Sequence, residues 1–156
     1  MNWVKLLASV AACQLAGILG AVFTRSAIPS WYAALKKPGF TPPNWLFGPA
    51  WITLYLLMAV AAYLVWQKGL RQPGVSAALA AFVLQLLLNA AWSPVFFGLR
   101  SALAGAVIIV LLWLAILLSM ALFFKVSRPA AWLLLPYLLW VTYASALNIS
   151  IYFLNR

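Results

Sequence analysis

The 156-residue chain contains no aspartate, no glutamate and no histidine. Their absence excludes a carboxylate acid/base pair, a histidine-based triad and a carboxylate cage for Mg²⁺ or Ca²⁺. It also excludes the Asp/Glu/His relay on which proton-coupled pumps run. Cys13 is the single cysteine, so no intrachain disulfide forms and no metal site is expected. Only 6% of the residues are charged, too few to cover a water-soluble surface.

What is present is apolar. Hydrophobic residues make up 68% of the chain, which sets the class as an all-α integral membrane protein in one domain, residues 1–156. Ten Lys and Arg give a net charge of +10. They do not form one patch, so no nucleic-acid partner is expected. They fall at or near the ends of the apolar runs, where long side chains snorkel to lipid headgroups. Lys5, Lys68, Arg71, Lys125 and Arg128 would lie on one side. Arg25, Lys36, Lys37, Arg100 and Arg156 would lie on the other. The tie leaves the orientation unset, and the sequence does not name the membrane.

Five spans are expected, over residues 3–23, 45–66, 75–97, 102–124 and 130–154. The first run continues well past Cys13, so it reads as a span and not as a cleaved leader. Ala12, Ala16 and Gly20 form a small-residue ridge on it. Gln14 is expected to make an ordinary interhelical hydrogen bond. The fourth span carries no chemistry and reads as a scaffold or lipid-facing helix, with Ala102, Gly105 and Ala106 available for an oligomer contact. An odd number of spans without an internal repeat argues against the inverted-repeat transporter design.

Residues 25–44 form a long loop that cannot be helix throughout, because Pro38-Gly39 and Pro42-Pro43 break it. The aromatic residues Trp31, Tyr32 and Phe40, with Trp45 just beyond, make it a structured cap over the bundle end. Two one-sided stripes follow. Gln85, Asn89, Trp92 and Phe96 are spaced four, three and four residues apart on the third span. Amides facing lipid would cost several kcal/mol, so this stripe should face the bundle interior. Pro136, Trp140, Ala144 and Asn148 recur every fourth residue on the fifth span. Ala144 leaves room there for a flat ligand.

The motif blocks are specific and span nearly the whole chain. Trp31-Tyr32, Leu35, Lys37-Pro38, Phe40, Pro42-Pro43, Pro49, Trp51 and Leu54-Tyr55 come first. Gln85-Leu86, Leu88-Asn89, Trp92, Pro94, Phe96-Phe97, Pro136-Tyr137, Trp140 and Leu147-Asn148 follow in order. Together they resemble the translocator protein / tryptophan-rich sensory protein family, also called the peripheral benzodiazepine receptor family. Phe40 stands where many members carry Trp, and the lack of acidic residues is unusual.

The resemblance implies a five-helix bundle, commonly a homodimer, whose pocket is closed by the first loop. It implies binding of porphyrins such as protoporphyrin IX, and of benzodiazepine and isoquinoline-carboxamide ligands, with no other cofactor required. Carried onto this chain, the pocket comprises Trp51, Asn89, Trp92, Trp140, Ala144 and Leu147, with Tyr32, Pro42 and Pro43 in the lid. The cholesterol motif of animal members is matched only loosely, through Leu147, Tyr152 and Arg156. Cholesterol is therefore not an expected partner.

The expected function is that of a membrane receptor or sensor for porphyrins, involved in tetrapyrrole homeostasis or transport. The alternative is light- and oxygen-dependent porphyrin breakdown, with Trp51 and Trp140 as electron donors. In the lid, Pro38-Gly39 would hinge, Tyr32 and Phe40 would cover the pocket mouth, and Trp31 and Trp45 would anchor the ends at the interface. Lys36 and Lys37 would meet the propionates or serve as interfacial anchors.

Overall fold

The computed structural model describes residues 2–156. Its first helix, α1 (Trp3–Ala27), is capped by Asn2, whose side chain accepts from the Lys5 amide. It does not stop near residue 23. A π-helical turn, Ile28–Tyr32, carries it on, so the span is 30 residues long. The loop expected from residue 25 is correspondingly shorter. Pro29 opens the widened turn, and the Ser30 hydroxyl donates to the Ser26 carbonyl at 3.0 Å. A wider turn absorbs a proline that would break a regular helix.

A 3₁₀ turn, Asn44–Leu46, leads from the extended Pro43 into α2 (Phe47–Trp66). Gly74, at φ 86°, turns the chain into α3 (Val75–Ser93). That left-handed conformation is one glycine adopts without strain. Pro94 then opens a second π-helical turn, Pro94–Gly98. The same device thus lets both α1 and α3 continue through a proline. A turn through Arg100, at φ 52°, leads to α4 (Ala102–Val126), capped by the Ser101 hydroxyl.

The fifth span is divided. α5 (Arg128–Leu133) and α6 (Leu135–Leu154) meet at Leu134. Pro136 has no N–H, and its ring would clash with the carbonyl four residues earlier, so the helix interrupts just before it. Among the described residues, five helical segments, with α5 and α6 counted together, are long and apolar enough to cross a bilayer. Exposed Leu, Ile and Val cover the outside. The protein is a multi-pass, all-helical integral membrane protein.

Two apolar clusters hold the bundle together. The larger packs Met58, Phe82, Leu112, Ile116, Phe123 and Tyr137. The smaller gathers Tyr32, Phe96, Phe97, Leu147 and Ile151 near the loop end. The α4 helix is more central than a lipid-facing scaffold. Gly105 is buried inside the bundle, and a Cβ there would stand 2.6 Å from the Phe96 ring and 3.0 Å from Asn148 Oδ1. This overturns Gly105 as an oligomer contact: the missing side chain lets α4 approach α3 and α6.

Candidate functional site

The α3 stripe supplies the polar centre. Spacings of four, three and four drift by only about 20° around a helix, so all four side chains stay on one face. Gln85, Asn89 and Phe96 are buried. The Tyr55 hydroxyl donates to Asn89 Oδ1 at 2.5 Å, and Asn89 Nδ2 donates to the Tyr137 hydroxyl at 2.7 Å. The Tyr137 hydroxyl in turn donates to Gln85 Oε1 at 2.8 Å. One amide thus ties α2, α3 and α6 together. In a membrane interior, where water cannot serve, such a chain satisfies its groups internally; of its amides, only Gln85 Nε2 is left without a partner among the described residues.

Aromatic rings stand above this network. Trp51 stacks on Tyr55 with ring centres 5.4 Å apart, and Trp140 meets Trp51 edge-on at 6.4 Å. Trp92 stacks on Phe96 at 5.1 Å, and its indole N–H donates to Asn148 Oδ1 at 3.0 Å. Asn148 also donates to the Ala102 carbonyl at 2.9 Å, which makes it a structural tie to α4.

These side chains border a cavity of about 360 Å³ between α1, α2, α3, α4 and α6. Its volume falls in the usual range for small-molecule sites. Trp51, Asn89, Trp92, Trp140, Ala144 and Tyr32 all line it. Leu147 does not; it is buried behind the wall with Phe96 and Phe97. Pro42 lies in a separate groove on the outside of α2 and α6, and Pro43 lines neither space.

The α6 stripe is less coherent than its spacing suggested. Each four-residue step overshoots a full turn by about 40°. Pro136 therefore faces the outer groove, Trp140 touches both spaces, Ala144 lines the cavity and Asn148 points to α4.

Tyr32 and Phe47 roof the cavity. Tyr32 packs edge-on against Phe97 at 5.7 Å, and the Lys37 ammonium sits 4.8 Å from the Tyr32 ring centre. The Lys37 ammonium also donates to the Ala33 and Leu35 carbonyls. Trp31, half-buried at the end of the prolonged α1, packs edge-on against Phe96 at 5.3 Å. Trp45 is 71% exposed. Phe40 does not line the cavity; it rests on Tyr143, whose hydroxyl donates to the Phe40 carbonyl at 2.6 Å. The Asn155 side chain grips the backbone of Lys36 twice, accepting from its N–H at 2.9 Å and donating to its carbonyl at 2.8 Å.

The wall contributed by α1 is the main element that sequence reasoning missed. Gln14, Gly17, Ala21, Thr24 and Ile28 all line the cavity. Their spacing of three, four, three and four was the available signal, passed over for the ridge of Ala12, Ala16 and Gly20. Ala12 is in fact exposed. Gln14 forms no side-chain hydrogen bond among the described residues, contrary to the expected interhelical pairing, because it faces the cavity.

Among the described residues, three further donors, Tyr32 Oη, Trp140 Nε1 and Gln85 Nε2, are buried without a partner. The site therefore combines aromatic walls, an internally bonded floor and unpaired donors. Its shape and chemistry suit flat apolar groups that carry a few hydrogen-bond acceptors.

Comparison with known proteins agrees with this architecture. Residues 9–154 match the model of the TspO/MBR family. The chain is 47% identical to a tryptophan-rich protein TspO of Archaeoglobus fulgidus, over 99% of both chains. It is 37% identical to a tryptophan-rich sensory protein of Cereibacter sphaeroides, over 99% of this chain and 94% of the relative. It is 36% identical to the human translocator protein, over 96% of this chain and 89% of the relative. Similarity of this extent, running through every helix that borders the cavity, means that the chain belongs to the TspO/MBR family.

Proposed function

We propose that this protein is a membrane receptor or sensor that binds a porphyrin, such as protoporphyrin IX, in the tryptophan-walled cavity. The observation that carries the reading is the placement of Trp51, Trp92 and Trp140 around one cavity, with Asn89 at its floor. Flat conjugated rings gain both area burial and ring contact against such walls. The unpaired Tyr32 and Trp140 donors suit acceptors on the ligand. Lys37, above Tyr32, suits an acidic substituent directed at the roof. The names of the relatives, sensory protein and translocator protein, accord with a sensing or carrying role. The protein acts as a homodimer in this reading, through an interface that does not use Gly105.

Titration of purified protein with protoporphyrin IX, followed by tryptophan fluorescence, tests the proposal. Saturable quenching is expected, weakened by Trp51→Phe combined with Trp140→Phe. Quenching that never saturates, or that ignores both substitutions, rejects it.

Porphyrin breakdown is a second reading, favoured only by the contact of Trp51 with both Tyr55 and Trp140. Under light and oxygen, turnover beyond one porphyrin per protein would support it. Loss of one equivalent together with tryptophan oxidation would leave binding as the function.

A further inference from the structure

We infer that the cavity exchanges its ligand sideways with the bilayer, through a slot between α1 and α2, and not through the loop above it. The inference rests on the cavity being a binding site, as proposed, and concerns the route into it.

The roof and the two seams that flank the slot are closed by named contacts. Tyr32, packed on Phe97, closes the roof. The seam between α1 and α3 is closed by Thr24, whose hydroxyl meets Ser93 Oγ at 3.3 Å, and by Gly20, where a Cβ would stand 3.2 Å from the same oxygen. The seam between α2 and α6 is closed by Trp140 against Phe47 at 6.1 Å and Trp51 at 6.4 Å.

The seam between α1 and α2 differs along its length. Away from the loop it is tight. The Asn2 amide donates to the Tyr63 hydroxyl, the Lys5 ammonium donates to the Trp66 carbonyl, and a Cβ on Gly17 would fall 2.5 Å from the Tyr55 ring. Toward the loop, lining residues on both helices are exposed. Ile18 is 59% and Ile52 58% exposed, and both border the cavity. Ala21 and Gly48 do the same. A Cβ on Gly48 would meet nothing within 4 Å. A side chain that is exposed outside and also lines the inside marks an opening.

The depth of this opening decides what enters. At 1.5 Å per residue, Ile52 lies about 12 Å along the helix from Asn44. The hydrocarbon layer is about 30 Å thick, so the slot faces acyl chains and not headgroups or water. The lips are apolar, and two of the four are Gly and Ala, which admits a flat ring system edge-on. The ligand class is therefore one already dissolved in the bilayer.

The test uses full-length protein in phospholipid vesicles with a small aryl diazirine dissolved in the bilayer. On irradiation its carbene labels whatever the probe reaches, and peptide mapping locates the label. Trp51 and Asn89, inside the cavity, should be labelled along with Leu114 on the outer surface. Gly48→Phe, on one lip, should cut labelling of Trp51 and Asn89 at least about fivefold relative to Leu114. Ala21→Phe, on the other lip, provides an independent variant should the first fold poorly. Absence of label at Trp51 and Asn89 in the unmodified protein would overturn the slot, as would labelling that neither variant reduces.

This readout needs no porphyrin, so failure of porphyrin binding leaves it intact. With protoporphyrin IX delivered from vesicles, both lip variants should slow association and dissociation by similar factors. A change in only one of the two rates points to altered binding within the cavity and counts against a gate.

Discussion

The α3 and α6 helices each present a regular series of special residues, yet they use it differently. On α3, Gln85, Asn89, Trp92 and Phe96 keep one face, and the buried hydroxyls of Tyr55 and Tyr137 converge on Asn89. On α6, Pro136, Trp140, Ala144 and Asn148 wind from the outer groove across the cavity to α4. The first series builds one site; the second joins three environments. Alternation of three and four follows the helix, whereas repeated fours precess around it. A stripe of constant spacing therefore predicts shared burial only over a turn or two.

The sharpest way to break the contrast is Asn89→Leu. It leaves the Tyr55 hydroxyl without an acceptor and removes one bond to Tyr137. A buried group left unpaired costs about 1–3 kcal/mol, so unfolding in detergent should show a loss of about 2–3 kcal/mol. Adding Tyr55→Phe should recover part of it, because the orphaned hydroxyl disappears with it. Next is Gly105→Ala, where the new Cβ meets the Phe96 ring at 2.6 Å and Asn148 Oδ1 at 3.0 Å. Overpacking of this kind costs about 1–3 kcal/mol, and the same unfolding measurement should place it below Asn89→Leu.

On α6 the expected effects turn from stability to binding. Ala144→Trp fills the cavity and should weaken protoporphyrin IX at least about tenfold, or about 1.4 kcal/mol, by fluorescence titration. Pro136→Ala should be the smallest change. Pro136 is exposed and lines only the outer groove, so affinity should stay within about twofold of the unmodified protein. A large loss there would mean that the α6 series acts as one face after all.

Much of the fold is legible because its causes are local. Long apolar runs give the spans, and the one-sided amides of α3 announce an interior face before any contact is known. The missed parts have physical reasons. The first span was expected to end near residue 23, but the widened turn at Pro29 carries the helix on to Tyr32, and the third span passes Pro94 by the same device within its expected bounds. Gly105 looks like an outward small residue until Phe96 is seen against it. The α1 wall went unread because Gly17, Ala21 and Thr24 carry little chemical signal; what they contribute is space beside Tyr55 and Ser93. Phe40, Pro42 and Pro43 sit in the loop as expected, but a loop's position depends on what it is tied to, and its ties are Tyr143 and Asn155.

The tie to Asn155 bears on the order in which the molecule is made. Lys36 lies between the first two spans, yet the side chain that holds its N–H and carbonyl is 119 residues further along. A chain emerging from the ribosome in sequence order inserts four more spans before that amide becomes available. Until then the backbone of Lys36 has only water and lipid headgroups to bond. The loop beside the roof is thus among the first segments synthesised and among the last to be fixed in place. Such a long-range closure is slow by its topology, and it makes late α6 the step that completes the site.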